Sequence, residues 1–568
     1  MSSPHSDKPT LWQPWHRWAF LGFVILLSYF TYFHRYTYPP YVYWDENDHI
    51  ASAQKYLHGT YFMEQHPPLG KLLIAAGEGL LRPNPQSDQY LGTDYATNFP
   101  DGFSFAGYRM FPAMLAWFTA PLLFGIFYLL SRRNPLNATL LSFLYIFDNA
   151  LIVHHRGAML EGPFLFFCAL NLFAFLLLWH ETSKKKFIWW SVLFGASFAA
   201  LVTTKVLGLA LILLLPAIVW RLLASRRDLL RFVMVAGGTL ALLLLFLLTI
   251  PALWIMALLS LAALGGFIVV LWKFIPRSRA VPVLFLGMIP AFLMVYCSVW
   301  YVHFATGKAI NPSLPDKGYY QASEEYKGYL AEGTTAGIAA FPYMLRDSLK
   351  YVTFYNAGAP RLDLCKTDEN GSPWFFWPLG ARSINYRWAT PGILEGQTAE
   401  TQTYSYLYLQ ANPVIWWSAL LGLLMAAGIF FARMFFPTRE PFRNLPLLCI
   451  FFGIYLSFCI AVSQIGRVLY LYHYFLPLML SFLVLAIVID NIGTVWKWKV
   501  TEQGRSFALM AFAFLIFASF QFYRPLTYYE PITNAQVERR ALLPLWGLHC
   551  VNCERNDPLV VPFREPGK

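Results

Sequence analysis

Charged residues are scarce in this chain. Asp, Glu, Lys and Arg together make up 13% of its 568 residues, whereas hydrophobic residues make up 57% and the mean hydropathy is +0.45. A soluble domain of this size could not keep so apolar a composition in solution. The composition therefore excludes a soluble enzyme or binding module and predicts a polytopic membrane protein.

Repeats, low-complexity tracts and metal-ligand spacings are also missing from the sequence. The lack of two related halves counts against a transporter, whose charged residues would lie near mid-membrane on broken helices. Of seven scattered cysteines, Cys550 and Cys553 are close together in HCVNC. Because His549 is the one further candidate ligand beside them, a disulfide or two thiols is favoured over a zinc site. We expect no cofactor and no structural metal, and leave open a loosely held divalent cation.

Thirteen segments are apolar over the roughly 20 residues that a membrane-spanning helix needs. The run from Phe232 to Trp272 is long enough for two helices and is interpreted as a hairpin that turns near Pro251. The thirteen segments begin near Trp18, Phe105, Leu136, Pro163, Phe187, Val206, Phe232, Trp254, Val281, Pro413, Leu445, Val468 and Ser506.

Lys and Arg cluster in alternate connections between these segments, for example at 184–186, 226–227 and 497–499. Such clusters collect on the cytoplasmic side of membrane proteins. Within a transmembrane region of residues 1–523, we expect a cytoplasmic N-terminus in the inner membrane, with loops 34–104 and 302–412 and the tail 524–568 outside. The net charge of +12 is then a topology signal and an attraction to anionic lipid, and it does not indicate nucleic-acid binding.

The first outside loop opens with two adjacent carboxylates, Asp45 and Glu46, which by themselves are most simply solvated acids. Further along, HPPLGKLLIAAGEGLLR predicts a helix with proline at its start and apolar residues on one face. Lys71, Glu78 and Arg82 lie between those apolar residues. We expect an amphipathic helix on the membrane surface, with an N-terminus that favours an anionic headgroup.

Cations lie at the predicted outer ends of the spans. Charges there usually face a cavity or a partner, so each is a functional candidate, with snorkelling to the interface as the structural alternative. The aromatic segment from Ser372 to Trp388 is either an interfacial belt or the wall of a substrate pocket. The candidates are Arg109, Arg156, Lys205, Arg467 and His473, and in the aromatic segment Trp374, Trp377, Arg382 and Arg387.

Carboxylates and cations at one membrane depth suit a reaction whose leaving group is a phosphate attached to a lipid. A glycosidase needs one carboxyl as acid and another as base or nucleophile. A lipid phosphate already leaves as an anion and needs positive charge to receive it. One carboxylate then suffices, as general base for an incoming hydroxyl.

The stretch DENDHIASAQKYLHGTYFMEQHPPLGKLLIA resembles the first extracytoplasmic loop of the protein O-mannosyltransferase family. YRMFPAML, FDNALIVHHRGAMLEGPFLFF, TKVLGL, WFFWPLGAR and YLYHYFLPL resemble later segments of that family in the same order. The resemblance implies an all-α polytopic membrane protein of the C-type glycosyltransferase fold, with about 13 transmembrane helices. It implies inverting transfer of mannose from a polyprenyl-phosphate-mannose donor to Ser or Thr hydroxyls of exported proteins. Residues 302–412 are too few for the β-trefoil module of eukaryotic members, so the chain resembles a bacterial-type member.

Carried over residue by residue, the resemblance implies that Asp45 is the catalytic base and that Glu46 orients it or holds the loop. Arg109 matches the family's essential arginine after the first loop. Glu161 stands in MLEG, where the family commonly has an aspartate. The residues implied to bind donor phosphate or substrate are His66, Lys71, Arg109, Arg156, Glu161, Lys205, Arg382, Arg467 and His473.

Two alternatives stay open. The related lipid A aminoarabinose transferases share the fold but carry a lysine before the paired prolines, where this chain has His66. That difference favours a polypeptide acceptor over lipid A or another membrane lipid. The second alternative is a membrane transporter, disfavoured because the charges lie at outer ends of spans.

Overall fold

Helices make up most of the chain. The computed structural model describes residues 13, 15–223, 225–311, 314–366, 369–389, 402–436, 441–551 and 553, so the last fifteen residues of the predicted tail lie outside the described residues. The α-helices are α1 (His16–Ser28), α2 (Glu46–Leu57), α3 (Leu69–Leu81), α4 (Ala106–Leu130), α5 (Pro135–Ile146), α6 (Asn149–His155), α7 (Glu161–His180), α8 (Lys184–Thr204), α9 (Leu214–Leu222), α10 (Arg226–Thr249), α11 (Leu253–Phe274), α12 (Ala280–Thr306), α13 (Lys317–Gln321), α14 (Glu324–Ala331), α15 (Phe341–Ala357), α16 (Pro413–Phe435), α17 (Leu445–Ser463), α18 (Phe475–Asn491), α19 (Glu502–Thr527) and α20 (Asn534–Glu538).

Shorter elements join these helices. A π-helical turn at Tyr29–Phe33 extends α1, and 3₁₀ turns occur at Val206–Leu213, Pro276–Ser278, Trp374–Leu379, Leu471–Tyr474 and Pro544–Trp546. The strands are β1 (Ile384–Ala389), β2 (Thr403–Leu409), β3 (Thr494–Val495), β4 (Trp498–Lys499) and β5 (Pro531–Thr533). The all-α prediction therefore holds for the bulk of the chain and misses these short strands.

The predicted count of thirteen spans is too high for continuous helices. By length and composition, ten helices among the described residues could cross a membrane, or eleven if α5 and α6, bent by 63°, form one span. The other two predicted segments are helical but irregular, because a π-helical turn follows α1 and a 3₁₀ turn precedes α9. Apolar runs therefore predicted where helix forms but not whether it is continuous. Orientation in the membrane stays a prediction.

The hairpin predicted between Phe232 and Trp272 is confirmed. α10 ends at Thr249 and α11 begins at Leu253, so the turn contains Pro251, which cannot continue a helix. Hardly any of their apolar windows is buried within the protein. Apolar faces exposed in this way are those that a bilayer covers.

The chain forms two compact units. The first unit comprises residues from 1–44, 113–157 and 361–568, and the second comprises residues from 45–112 and 158–360. The outside loop predicted at 302–412 is therefore divided between the two units. Its residues up to 360 belong to the second unit and its later residues belong to the first. Its α13, α14 and α15 pack on the end of α12, with Trp300, Phe304 and Tyr326 in their shared core.

In the first unit, β1, β2 and β5 form a small antiparallel sheet in the order β1-β2-β5. Thr403 of β2 pairs with Thr533 of β5. This pairing joins the C-terminal tail to the part of the 302–412 loop that contains β2. Tyr406, Tyr408 and Trp546 are buried in the core beside this sheet. Cys550 and Cys553 form a disulfide there, so the predicted choice between a disulfide and thiols is decided in favour of the bridge.

In the second unit, Gly195 of α8 lies against the backbone of α12. A Cβ added at Gly195 would collide with the carbonyl oxygen and Cα of Met288. Small residues at such crossings let membrane helices approach closely.

We expect Gly195→Ala to lower the free energy of unfolding by about 1–3 kcal/mol, because overpacking forces the two backbones apart. The thermal midpoint of the purified protein in detergent is the measurement. Gly238→Ala on α10 is the matched control, since nothing lies within 4 Å of its added Cβ. Equal midpoints for the two variants would contradict the tight crossing.

Candidate active site

Asp45 and Glu46 take different positions at the start of α2. Asp45 is the residue before the helix and is half-buried, whereas Glu46 is fully buried in the first turn. Carboxylates are favoured at a helix N-terminus, where backbone N–H groups carry positive charge. The two adjacent acids are therefore not equivalent, because one points into the protein core and the other remains accessible.

Arg109 holds Glu46 in place. Its Nε donates to Glu46 Oε1 at 2.6 Å and its Nη2 donates to Glu46 Oε2 at 2.8 Å, and both side chains are fully buried. The guanidinium also lies over the ring of Phe105, 4.6 Å from its centroid. A buried bidentate pair of this kind fixes geometry, because removing either partner leaves an uncompensated charge.

The peptide at Ala158 is bound on both sides by α2. Its N–H donates to Glu46 Oε1 at 2.8 Å, and its carbonyl accepts from His49 Nδ1 at 2.7 Å. Since a carbonyl can only accept, His49 carries its proton on Nδ1. The first turn of α2 is thereby fixed to the segment that leads into α7.

α3 begins at Leu69, directly after the paired prolines, as predicted. Lys71 and Glu78 of this helix are buried and Leu80 is two-thirds exposed, so the charged residues face the protein, and contact of the apolar residues with the membrane stays a prediction. Lys71 donates to Glu64 at 2.9 Å and to Ser52 Oγ at 2.9 Å. Ion pairing therefore takes Lys71 into the protein, while Leu80 and Leu81 at the end of α3 remain exposed.

Lys205, between α8 and the following 3₁₀ turn, forms a buried ion pair with Glu161 at the start of α7. The same part of the second unit holds His66, His49 and Lys71. Burial lowers the pKa of His66 well below its ordinary value, and the charges of Lys205 and Lys71 lower it further. Five polar residues from separate segments thus meet in one cluster, composed of His49, His66, Lys71, Glu161 and Lys205.

A polar cavity of about 340 Å³ lies in the same unit. Lys55 lines this cavity and forms ion pairs with two other lining residues, Asp94 at 2.7 Å and Asp316 at 3.7 Å. Tyr95 also lines the cavity, and its pKa is raised by burial and by the carboxylates of Asp48 and Asp45.

Trp44, the residue before Asp45, belongs to the first unit and has a left-handed backbone with φ of 50°. Its ring stacks on Tyr386 with 5.0 Å between centroids, and a 2.5 Å hydrogen bond joins the Tyr386 hydroxyl to His154 Nδ1. A left-handed conformation is rare for so large a side chain and persists where packing holds it. The aromatic contacts provide that packing.

The remaining predicted site residues lie in the first unit. Arg156 donates to the carbonyls of Thr31 and His34. Arg382 donates to the Glu369 carbonyl at 3.0 Å, and His473 Nδ1 lies 3.1 Å from the backbone of Tyr470. Arg467 is half-buried, with Nε 3.4 Å from the Val468 carbonyl.

Sequence reasoning missed Glu64, Lys55, Asp94 and Asp316, whose ion pairs build the second unit around α2. One signal was present, since Glu64 is an acid inside the otherwise apolar stretch TYFMEQHPP. It also missed Tyr386 and His154 as partners near Trp44. Their positions depend on contacts between residues more than 200 apart in the sequence.

We expect the protein to lose stability as the pH falls from about 6.5 toward 3, because burial lowers the pKa of His49 to about 3. In that window the unfolded chain binds a proton at this histidine and the folded chain does not, so stability rises with pH by about 1.4 kcal/mol per unit for the group. Thermal midpoints between pH 7 and pH 5 measure the slope. His49→Gln should reduce the slope by the contribution of this one group, while that of His66 remains, and exposed His58→Gln should not change it. An unchanged slope in His49→Gln would contradict the prediction.

Comparison with known proteins agrees with this architecture. Residues 22–264 match the family model "Dolichyl-phosphate-mannose-protein mannosyltransferase", and residues 354–546 match "C-terminal four TMM region of protein-O-mannosyltransferase". Protein O-mannosyl-transferase 2 of Drosophila pseudoobscura pseudoobscura is 29% identical over 38% of this chain and 28% of its own length. Dolichyl-phosphate-mannose--protein mannosyltransferase 1 of Candida albicans is 30% identical over 34% of this chain and 20% of its own length.

The matched region thus spans less than a third of these curated relatives. A solved structure of the S. cerevisiae protein O-mannosyltransferase Pmt1-Pmt2 complex bound to the sugar donor contains a chain that superposes with a TM-score of 0.68. It covers 94% of this chain and 93% of that one at 13% identity, which supports the C-type glycosyltransferase fold. With both family models matched in order along one chain, the protein belongs to the protein O-mannosyltransferase family.

Proposed function

We propose that this protein transfers mannose from a polyprenyl-phosphate-mannose donor to Ser or Thr hydroxyls of a polypeptide. Membership of the family supports mannose and a polypeptide acceptor. The observation that carries the mechanism is the contrast between Asp45 and Glu46, since Arg109 and Ala158 bind Glu46 inside the protein and Asp45 stays half-buried at the helix start. One accessible carboxylate is what a single-base reaction requires.

In the proposed reaction, the Asp45 carboxylate takes the proton of the acceptor hydroxyl. The hydroxyl oxygen then forms a bond to the anomeric carbon, while the bond from that carbon to the phosphate oxygen breaks and its electron pair leaves with the phosphate. A single displacement inverts the anomeric configuration. The reaction needs no acid for the leaving group, because a phosphate departs as an anion.

The cluster of His66, Lys71 and Lys205 is the proposed site for that phosphate. Lys71 and Lys205 are each paired with a carboxylate, so they supply directed hydrogen bonds rather than an excess of positive charge. An ammonium group has three donors, and Lys71 uses two of them, on Glu64 and Ser52.

We assign Arg109 a positioning role in place of phosphate binding, because its guanidinium is fully buried on Glu46. The deep position of Glu46 likewise supports a role in holding the loop. For Arg156, Arg382, Arg467 and His473, binding of donor or acceptor stays a prediction.

The test is transfer of radiolabelled mannose from synthetic polyprenyl-phosphate-mannose to a Ser/Thr-rich peptide by the purified protein. Label on the peptide, in a linkage of opposite anomeric configuration to the donor, is the expected result. Retained configuration would overturn the single displacement. Label on lipid A or another membrane lipid, with none on the peptide, would overturn the polypeptide acceptor.

A further inference from the structure

A groove of about 590 Å³ runs along α1 and α19 in the first unit. Its volume lies within the range of pockets that hold small molecules. Asp45 and the proposed phosphate cluster of His66, Lys71 and Lys205 belong to the second unit and do not line this groove, whereas Arg156, whose donor or acceptor role stays a prediction, does. The groove lining has phenylalanine rings at one end, and at the other it has three arginines with tyrosine rings beside them.

Two helical stripes line the groove and change character in the same direction. The first stripe lies on α1 and the turn that extends it, and its residues follow the spacing i, i+3, i+4, i+7, so they share one face. They are Leu27, Phe30, Thr31 and His34. On α19, Phe517, Phe520, Gln521 and Arg524 repeat the pattern. Both stripes begin with apolar side chains and end with polar ones.

Contacts with other lining residues mark the two ends of the groove. At the polar end, the Tyr528 hydroxyl donates to the Thr31 carbonyl at 3.0 Å. At the apolar end, Phe147 packs against Phe517 and Phe520 with 5.2 Å between ring centroids in each case. The groove is therefore apolar at one end and cationic at the other, which is the polarity of a lipid with an anionic headgroup.

The cationic end contains Arg35, Arg156 and Arg524 with a single carboxylate, Glu530. Arg156 is buried and donates to backbone carbonyls, so it contributes positive charge to this end from within the protein. Arg35 is exposed at the mouth. Arg524 is half-exposed and pairs with Glu530 at 2.9 Å. The lining thus keeps an excess of positive charge at this end.

We propose that this groove binds an anionic glycerophospholipid of the surrounding membrane, with its phosphate on Arg35 and Arg524 and an acyl chain along Phe517 and Phe520. Glu530 selects the headgroup. Its carboxylate accepts hydrogen bonds from headgroup hydroxyls, as in phosphatidylglycerol, and repels a phosphate monoester, which carries close to two negative charges at neutral pH. A singly charged phosphodiester with a glycerol headgroup fits both features.

The test measures binding of phosphatidylglycerol and phosphatidylcholine to the full-length protein by native mass spectrometry in detergent. We expect phosphatidylglycerol to bind more tightly and Arg35→Gln and Arg524→Gln each to weaken it roughly fivefold, because one arginine near a membrane surface contributes about that factor. Phosphatidylcholine binding should not change. Lys499→Gln is the matched control, since this exposed lysine lies outside the groove.

Equal binding of the two lipids by the wild type, or full phosphatidylglycerol binding by both arginine variants, would overturn the proposal. Preference for polyprenyl phosphate over phosphatidylglycerol would assign the groove to the donor and also overturn it. Glu530→Gln gives an independent reading that does not need the arginine variants to fold. It should raise binding of phosphatidic acid, a phosphate monoester, relative to phosphatidylglycerol, and an unchanged ratio would exclude headgroup selection by Glu530.

Discussion

Asp45→Asn is expected to lower the rate of mannosyl transfer by roughly 10² to 10⁴, the usual contribution of a general base. The substitution removes the proton acceptor and keeps the size of the side chain. Asp45 makes no capping hydrogen bond to α2, so the amide should leave the helix start intact. The measurement is the initial rate of label transfer at saturating donor, together with the thermal midpoint of the same sample.

Asp88→Asn is the matched control, because Asp88 is an exposed acid of the same loop. It should keep the wild-type rate. Asp45→Glu retains a base displaced by one methylene and should fall between the wild type and Asp45→Asn. Full activity in Asp45→Asn with an unchanged midpoint would remove Asp45 from the role of base.

Arg109→Gln is expected to destabilise the protein by about 3–5 kcal/mol, because it leaves the buried Glu46 carboxylate without its counter-charge. The double variant Glu46→Gln/Arg109→Gln should recover a large part of that loss. It buries no charge, and the oxygen of the amide introduced by Glu46→Gln can still accept from the Ala158 N–H. Thermal or denaturant unfolding of the four proteins of this cycle gives the coupling energy directly.

The matched comparison is the pair Glu324 and Lys327 on α14, in which the carboxylate of Glu324 is exposed. Lys327→Gln should leave the midpoint unchanged, since water solvates whichever charge remains. A double variant as unstable as Arg109→Gln alone would show that the loss arises from packing and not from the unpaired carboxylate.

Local patterns in the sequence predicted much of the fold. The Pro251 hairpin and the start of α3 after Pro68 follow from chain-local chemistry, because proline ends one helix and begins another wherever it occurs. The bend between α5 and α6 was not predictable in this way. Asp148 begins α6 by accepting from the Leu151 N–H and also binds Trp416, which is distant in the sequence.

The candidate site was predictable in its residue types but not in its pairings. The acids and cations of the first loop were visible as residues that an apolar chain retains at a cost. Which acid binds which cation depends on the folded chain, since Glu46 and Arg109 are separated by 63 residues and Glu161 and Lys205 by 44. For the same reason, the helix after the paired prolines was predictable, but the pairing of Lys71 with Glu64 inside the protein was not.

The hydrogen bonds between α2 and Ala158 determine when the first turn of α2 can reach its final structure during synthesis. Glu46 and its donor at Ala158 are 112 residues apart, and α3, α4, α5 and α6 lie between them in the chain. A growing chain that has not reached residue 158 cannot complete the first turn of α2 as it stands in the finished protein. The Glu46 carboxylate therefore acquires its final geometry only after those intervening helices have been synthesised. The site is completed late, although its motif is synthesised early.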